Sequence, residues 1–473
     1  MKLAVIGAGV GGLAVSARLA ANGYEVTVFE KNNYVGGKMG VWESKGFRFD
    51  KGPSLFTMPQ LIEELFQECG KRIDDYFSYQ PLNVTCNYFD QGKRLVAYSD
   101  IDEFAEEAEN VLGVSSWEVR QYLEQARKIY ESSESIFVTD NKSLMSWSGI
   151  VLAMRMVLQG GFTSLNALNQ KHFQDVTLIK IFNRFATYNG SNPYKAPSVL
   201  SCIAALEHTY GAFYPKGGMS SIPKAIFQLA TDLGVEFKLN SAVDRIEKSG
   251  AKWEVGGAAY DGVFYNGDIY QLPKLTALEL GIEPPKLSDR STSGLVFYWG
   301  MAKSSEALDV HNIFFAADYD KEFQAFENGK LFYEDPTIYV HISSKIEKEA
   351  APAGKENWFV MINVPAKAIT EADQQSLRKS VIDKLSRILE EDISALIETE
   401  SFFNPQIMQE MTSAYQGALY GLNSNSISTI MKRPKNKSKA KGLYYVGGTV
   451  FPGGGIPLCL SSAKIAVKEF LNK

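Results

Sequence analysis

The feature that most limits how this chain can fold lies in its first thirty residues. Leu3-Ala4-Val5-Ile6 is an unbroken apolar run, the composition of a strand buried on both faces. Gly7-Ala8-Gly9-Val10-Gly11-Gly12 follows at once, then a small-residue stretch to Asn22-Gly23, then Val26-Thr27-Val28-Phe29 and Glu30. Strand, helix and strand are expected in that order, with Gly23 ending the helix. Gly7 permits a tight turn, Gly9 lets backbone N–H groups reach a pyrophosphate, and Gly12 lets the helix lie close on the sheet. Glu30 stands where an acid takes the ribose hydroxyls of a dinucleotide. A signal peptide after Lys2 is a plainer reading, but Arg18 and the glycines interrupt its apolar run. A glycine turn without a ligand is the other.

The choice of dinucleotide turns on what comes next. Gly36-Gly37-Lys38 is superfluous in a plain NAD domain. A second glycine pair soon after the ribose acid implies that the chain returns beside an extended cofactor. Phe47-Arg48-Phe49-Asp50-Lys51-Gly52-Pro53 adds another close approach, so FAD is the better reading.

The rest of the composition narrows the class. With 473 residues, two or three domains are expected. A net charge of −5 gives no general pull toward nucleic acid. The four cysteines form no CxxC pair, and the four histidines, His172, His208, His311 and His341, have no ligand spacing. No metal is implied. No run of about 18 uncharged apolar residues occurs. The nearest, at 147–158, is broken by Arg155 and reads either as a core helix with a snorkelling arginine or as a helix dipping into one leaflet.

Along the chain, 59–76 reads as helix and 83–89 as strand, followed by a helical block to about 205. Gly211-Ala212-Phe213-Tyr214-Pro215-Lys216-Gly217-Gly218-Met219 precedes a helix at 222–233 and a strand at 235–239, a unit that can extend a parallel sheet. Strands near 253–255 and 262–264 continue it. From about 286 the strands at 295–299, 337–341 and 358–362 suit a second sheet, followed by a long amphipathic helix through Leu377, Val381, Leu385 and Leu389. The end carries the second strong signal. A strand at 443–446 closes in Gly447-Gly448, and Pro452-Gly453-Gly454-Gly455-Ile456-Pro457 leads into a helix from about 460 to 471. Glycines at a helix start leave amides free to hold flavin oxygens; a loose surface turn is the alternative, which the flanking prolines disfavour.

Three segments, 7–38, 211–246 and 442–464, resemble the bacterial-type carotenoid desaturases, the phytoene dehydrogenase family of FAD proteins. The ending Val446-Gly447, then Pro452-Gly453-Gly454-Gly455-Ile456-Pro457-Leu458, is most similar to hydroxycarotenoid 3,4-desaturases. Phe451 departs from the histidine or threonine often found there. The resemblance implies an α/β fold with an α+β second domain, amine oxidase-like. A Rossmann-like FAD domain would be assembled from 1–78, 206–285 and 416–473, and a substrate domain from 79–205 and 286–415. It implies that Gly7, Gly9, Gly12, Glu30, Lys31 and Lys38 serve the ADP half, that Val243 meets the adenine by its backbone, and that Gly448, Gly455, Ile456 and Pro457 sit at the flavin end. The family's oxidoreductase chemistry would place a C3–C4 double bond in a 1-hydroxylated carotenoid. Phytoene desaturation and carotene isomerisation are the alternatives within the family. Outside it stand the amine and protoporphyrinogen oxidases, and the non-enzymic Rab GDP-dissociation inhibitors, which carry prenyl groups.

Polyene desaturation removes a hydride and a neighbouring proton. The cofactor supplies the hydride acceptor, and a delocalised cation lowers the need for a strong base. Glu207 and Arg155 are the acid/base candidates; the plainer readings are a solvated carboxylate and a snorkelling cation. A carotenoid already dissolved in lipid gains little on entering an apolar tunnel. A peripheral position at the inner face of the cell membrane follows as an expectation, with oxygen or a quinone as final electron acceptor. Lys435, Lys437, Lys439 and Lys441, with Arg433, form a basic run that suits either anionic headgroups or a solvated loop.

Overall fold

The computed structural model describes residues 1–134 and 163–472. The apolar run at 147–158, with Arg155, lies outside the described residues.

Both ends of the polypeptide enter one parallel sheet. Its five strands run in the order Leu443–Tyr445, Gly262–Tyr265, Lys2–Ile6, Glu25–Phe29, Glu236–Lys238. The first strand is central because its four apolar residues tolerate cover on both faces. On one face lie the helices Val10–Ala21, Ser221–Asp232 and Ile456–Leu471, packing Leu13, Ala17, Ile226, Leu229, Leu460, Ala463 and Ala466 against Leu3, Val5 and Val28. On the other a small antiparallel sheet, Ile246–Ser249, Lys252–Val255 and Ala258–Tyr260, buries Trp253 and Val255 against Ala4, Ile6 and Phe29.

Two expected boundaries move. The last helix starts at Ile456 and takes Pro457 into its first turn, where a missing N–H costs nothing. The helix expected over 59–76 is Gln60–Glu68; Gly70 at φ +70° then turns the chain, with Lys71 N–H donating to Phe66 O at 3.0 Å.

The second sheet has seven strands, in the order Ile397–Phe403, Ser293–Met301, Glu356–Val364, Ile338–Ile342, His311–Phe314, Val84–Asp90, Lys93–Tyr98. All pairs are antiparallel except His311–Phe314 with Val84–Asp90. Alternation sorts its faces. Phe297, Trp299, Val340, Trp358 and Val360 pack on Leu377, Val381 and Leu385 of the helix Glu371–Leu389. The opposite side chains, Val296, Tyr298, Tyr339, Phe359 and Met361, meet Trp42, Phe47 and Phe49 of the hairpin Val41–Ser44 and Phe47–Asp50. That hairpin leaves the cofactor half, so this face of the second sheet looks toward it. Helices Ile101–Leu112, Ser116–Glu134 and Val176–Arg184 cover the Val84–Tyr98 end.

Candidate functional site

The first glycine turn could hold a phosphate because of what it lacks. A Cβ on Gly12 would lie 2.0 Å from Gly7 O, so only hydrogen fits where the helix meets the turn. Gly9 caps the Val10–Ala21 helix without a side-chain hydrogen bond, and no acid occupies its first turn. The first-turn N–H groups and the positive helix end are therefore available to an anion. Gly36 runs beside Gly9 and donates its N–H to Ala8 O at 2.8 Å. Gly52 approaches as closely: a Cβ there would lie 2.1 Å from Lys38 O.

Glu30 is buried at the end of the second strand. Its Oε2 accepts from Ala8 N at 2.8 Å, and its Oε1 accepts from Asn32 N and Nδ2 at 2.9 and 2.8 Å. One lone pair on Oε2 is left for a hydroxyl. Ser241 N–H donates to Glu30 O at 2.8 Å, which brings the segment carrying Val243 beside the acid.

The C-terminal glycines arrive at the same place. A Cβ on Gly11 would lie 3.0 Å from Val446 Cγ1 and 3.3 Å from Gly447 Cα. Asn266 holds the seam: its Nδ2 donates to Gly7 O at 3.1 Å, and its side chain lies against Gly9, Gly11, Gly12 and Gly447. Gly448 packs on Gly454, and Gly454 on the Tyr420 ring. Gly455, at φ +108°, has no atom of the described residues within 4 Å of where a Cβ would stand, and Ile456 and Pro457 form the first turn of the helix that follows. Asn436 braces this end, donating to Tyr445 O, Phe451 O and Ser462 Oγ at 3.1, 3.0 and 2.8 Å.

The charged candidates distribute differently from the sequence reading. Lys31 Nζ donates to Glu410 O and Ser413 Oγ at 2.7 and 2.9 Å, tying the turn to the Pro405–Thr412 helix. Lys38 Nζ donates to Leu419 O at 2.5 Å, and burial holds its ammonium below the usual range, with Asp268 opposing. Leu419 adjoins Tyr420, the ring that packs on Gly454, so the ammonium points toward the second glycine turn while Gly37 lies beside Gly9. Asp268 is buried too; it accepts from Tyr415 N and Tyr270 N at 2.8 and 3.0 Å, and burial raises its pKa.

Arg433 corrects the basic run. It is buried, donating to Tyr420 O, Gly448 O and Leu422 O at 3.0, 3.3 and 2.6 Å, so it clips the second glycine turn together instead of facing outward. Burial lowers its pKa to about 10. Lys435, Lys437, Lys439 and Lys441 are exposed. Glu207 is not the solvated carboxylate of the plainer reading. It is buried, pairs with Arg184 at 3.5 Å and accepts from Tyr188 OH at 2.6 Å. Arg184 also donates to Tyr88 OH at 2.7 Å and stacks on the Phe185 ring.

These parts fit FAD: a phosphate cradle that a single methyl would fill, an acid with one lone pair to spare, and a second glycine turn in contact with the first. Asn266 and Asn436 went unnoticed in the sequence because their work is to bind backbone from distant segments, which no spacing announces.

The whole chain has known relatives. The model of the flavin containing amine oxidoreductase family matches residues 10–471. A 1-hydroxycarotenoid 3,4-desaturase of Flavobacterium sp. (strain P99-3) is 40% identical, covering 100% of this chain and 99% of its own. A 4,4'-diapophytoene desaturase (4,4'-diaponeurosporene-forming) of Staphylococcus aureus (strain Newman) is 31% identical at the same coverage. The structure of an oxidoreductase from Methanosarcina mazei, 18% identical, superposes with a TM-score of 0.62 over the full length of both chains.

Proposed function

The chain belongs to the flavin containing amine oxidoreductases, and we propose that within them it is an FAD-dependent carotenoid desaturase that introduces a C3–C4 double bond into a 1-hydroxylated carotenoid. The full-length 40% identity carries the substrate class. FAD bound in the cradle supplies the acceptor for the hydride.

The chain's own residues do the rest. Gly7 makes the turn, its own N–H donated to Phe29 O, Gly9 and Gly12 let the amides at the helix start approach the pyrophosphate, Glu30 takes the ribose, and Val243 borders the adenine. Gly448, Gly455, Ile456 and Pro457 seat the ring end, with Lys38 nearby. Residues 1–78, 206–285 and 416–473 serve as the cofactor domain, and 79–205 with 286–415 as the substrate domain. The aromatic face of the second sheet keeps water from the reacting carbons. Glu207, with both oxygens engaged, is better suited to fixing Arg184 than to taking a proton.

The substrate's apolarity favours a peripheral site on the inner face of the membrane. No helix among the described residues is long and apolar enough to cross a membrane. Ile427 and Met431 are exposed beside Lys432 and Lys435, a mixture suited to an anionic lipid surface. In flotation with anionic vesicles, K435Q/K437Q is expected to bind roughly thirtyfold more weakly, at about 1 kcal/mol per lysine; unchanged flotation would remove these lysines from the surface. Oxygen or a quinone would serve as the final electron acceptor.

Purified protein given FAD and a panel of carotenoids in liposomes tests the activity. Loss of two hydrogens from the 1-hydroxylated member is expected. Consumption of phytoene alone would assign the earlier desaturation instead, and an isomer of unchanged mass would assign isomerisation. Failure to take up FAD would favour a prenyl carrier.

A further inference from the structure

The second sheet carries a row of polar rings in an aromatic setting, on the face that looks toward the cofactor half. His311 and His341 are directly paired across adjacent strands, and Tyr339 shares their face. The His311 ring stacks on His341 at 4.9 Å and 19°, and on Tyr339 at 6.1 Å and 14°. Phe359 and Tyr214 flank His341 at 6.4 and 6.5 Å.

Each imidazole has one nitrogen fixed and one unspent. His341 Nδ1 lies 3.1 Å from Val310 O, and a carbonyl only accepts, so Nδ1 carries the proton. Burial pushes this imidazole down to about 4, which keeps it neutral. Its Nε2 is thus a bare acceptor, buried and without a donor among the described residues. His311 Nδ1 lies 2.7 Å from Tyr339 OH, which lies 2.6 Å from Ser54 Oγ, and His311 Nε2 is also buried without a partner among the described residues. A protein core does not keep two such atoms idle without cost.

Position narrows the use. Ser54 follows Gly52, which is pressed against Lys38 O, and Tyr298 OH donates to Lys51 O at 3.2 Å. The row therefore stands where the two halves meet. In a 1-hydroxylated carotenoid the carbinol carbon is two bonds from C3, so its hydroxyl lies within a few ångströms of the reacting bond. A hydroxyl anchor must then sit at this junction and not at the far end of a tunnel.

We propose that His341 Nε2 accepts the hydrogen bond of the substrate's tertiary hydroxyl, with His311, held by Tyr339 and Ser54, beside it as the second contact. This rests on the 3,4-desaturase reading and names the group that selects its substrate. His341 is a specificity residue: the hydroxyl gives it the donor it lacks, whereas a plain hydrocarbon end leaves it unpaired.

The test compares kcat/KM of the FAD-loaded enzyme on a 1-hydroxylated carotenoid and on the same polyene without the hydroxyl. The wild type is expected to prefer the hydroxylated substrate. In H341L that preference should fall about ten- to a hundredfold, and in H341Q, whose amide oxygen can accept, much of it should return. Bound flavin per chain reports folding; should H341L lose its flavin, H341Q and H341N, one retaining reach and the other shortening it, decide by the same ratio. A ratio unchanged in the variants, with both rates falling together, overturns the anchor alone. A wild type with no preference for the hydroxyl overturns the 3,4-desaturase reading and the anchor with it.

Discussion

The two halves of this molecule make their sites from different material. At the parallel sheet the site is backbone, exposed by glycine: Gly12 lies on Gly7, Gly11 on Gly447, and Gly36 along Gly9. At the second sheet it is side chain: Arg184 and Tyr188 close on buried Glu207, and buried His311 bonds Tyr339 and stacks on buried His341. A backbone site depends on the absence of atoms and fails when one is added. A side-chain site depends on paired atoms and fails when one is removed.

The largest effect should come from adding atoms. Gly12→Val would force a side chain into the 2.0 Å gap at Gly7 O, which no rotamer relieves because the obstacle is backbone. Loss of bound flavin by more than a hundredfold is expected, read as flavin absorbance per chain. Gly23→Ala is the control within the same helix–strand unit: its Cβ would meet nothing within 4 Å, so it bears only the strain of φ +80° and should keep its flavin. Equal losses in both would deny that close approach is what the glycines serve.

Removing an atom from the other half comes next. Arg184→Met leaves Glu207 buried without its counter-charge, a change worth about 3–5 kcal/mol. Thermal unfolding should drop by several degrees, and the apolar pair R184M/E207L should regain much of it. If the single variant melts with the wild type, the pair contributes no net stability.

The histidine row gives a smaller, pH-dependent signature. Burial lowers the pKa of His341 to about 4 and lowers those of His311 and His208 as well. The unfolded chain therefore binds protons first as pH falls. Their contribution is complete above about pH 6.5 and is lost as the pH drops toward 4, by roughly 2 kcal/mol at pH 5 for His341 alone. Denaturant titrations at pH 7 and pH 5 read this, and H341L should flatten the slope. A slope steepest above pH 7 would contradict neutral, buried imidazoles.

The smallest effect is expected where the glycine half uses a side chain. Glu30→Gln keeps an acceptor but gives up the charge, and should weaken FAD binding roughly tenfold, about 1 kcal/mol, by fluorescence titration. Loss as complete as that of Gly12→Val would mean that Glu30, and not the backbone, dominates the cradle.

This contrast also explains what the sequence discloses. Gly7-Ala8-Gly9-Val10-Gly11-Gly12 and Gly453-Gly454-Gly455 were legible because a backbone site needs its glycines contiguous and its strand and helix adjacent. The central first strand and the second sheet followed from apolar runs of strand length. The histidine row was not legible: His311 and His341 are thirty residues apart and pair only when two antiparallel strands set their register. Arg433 was misread for the same reason, since a cation in a lysine-rich run looks solvated until three carbonyls from elsewhere close on it. Lys38 follows Gly36-Gly37 in sequence, but its side chain reaches Leu419, which no spacing discloses.

The central claim is that the two glycine turns share one FAD. A crystal structure of the FAD-saturated protein tests it directly. Continuous density is expected, with the pyrophosphate against Gly7, Gly9 and Gly12, the ribose on Glu30 and the ring beside Gly448 and Gly455. Density that touches only one of the two turns, or a ring lying away from Gly455, would contradict it.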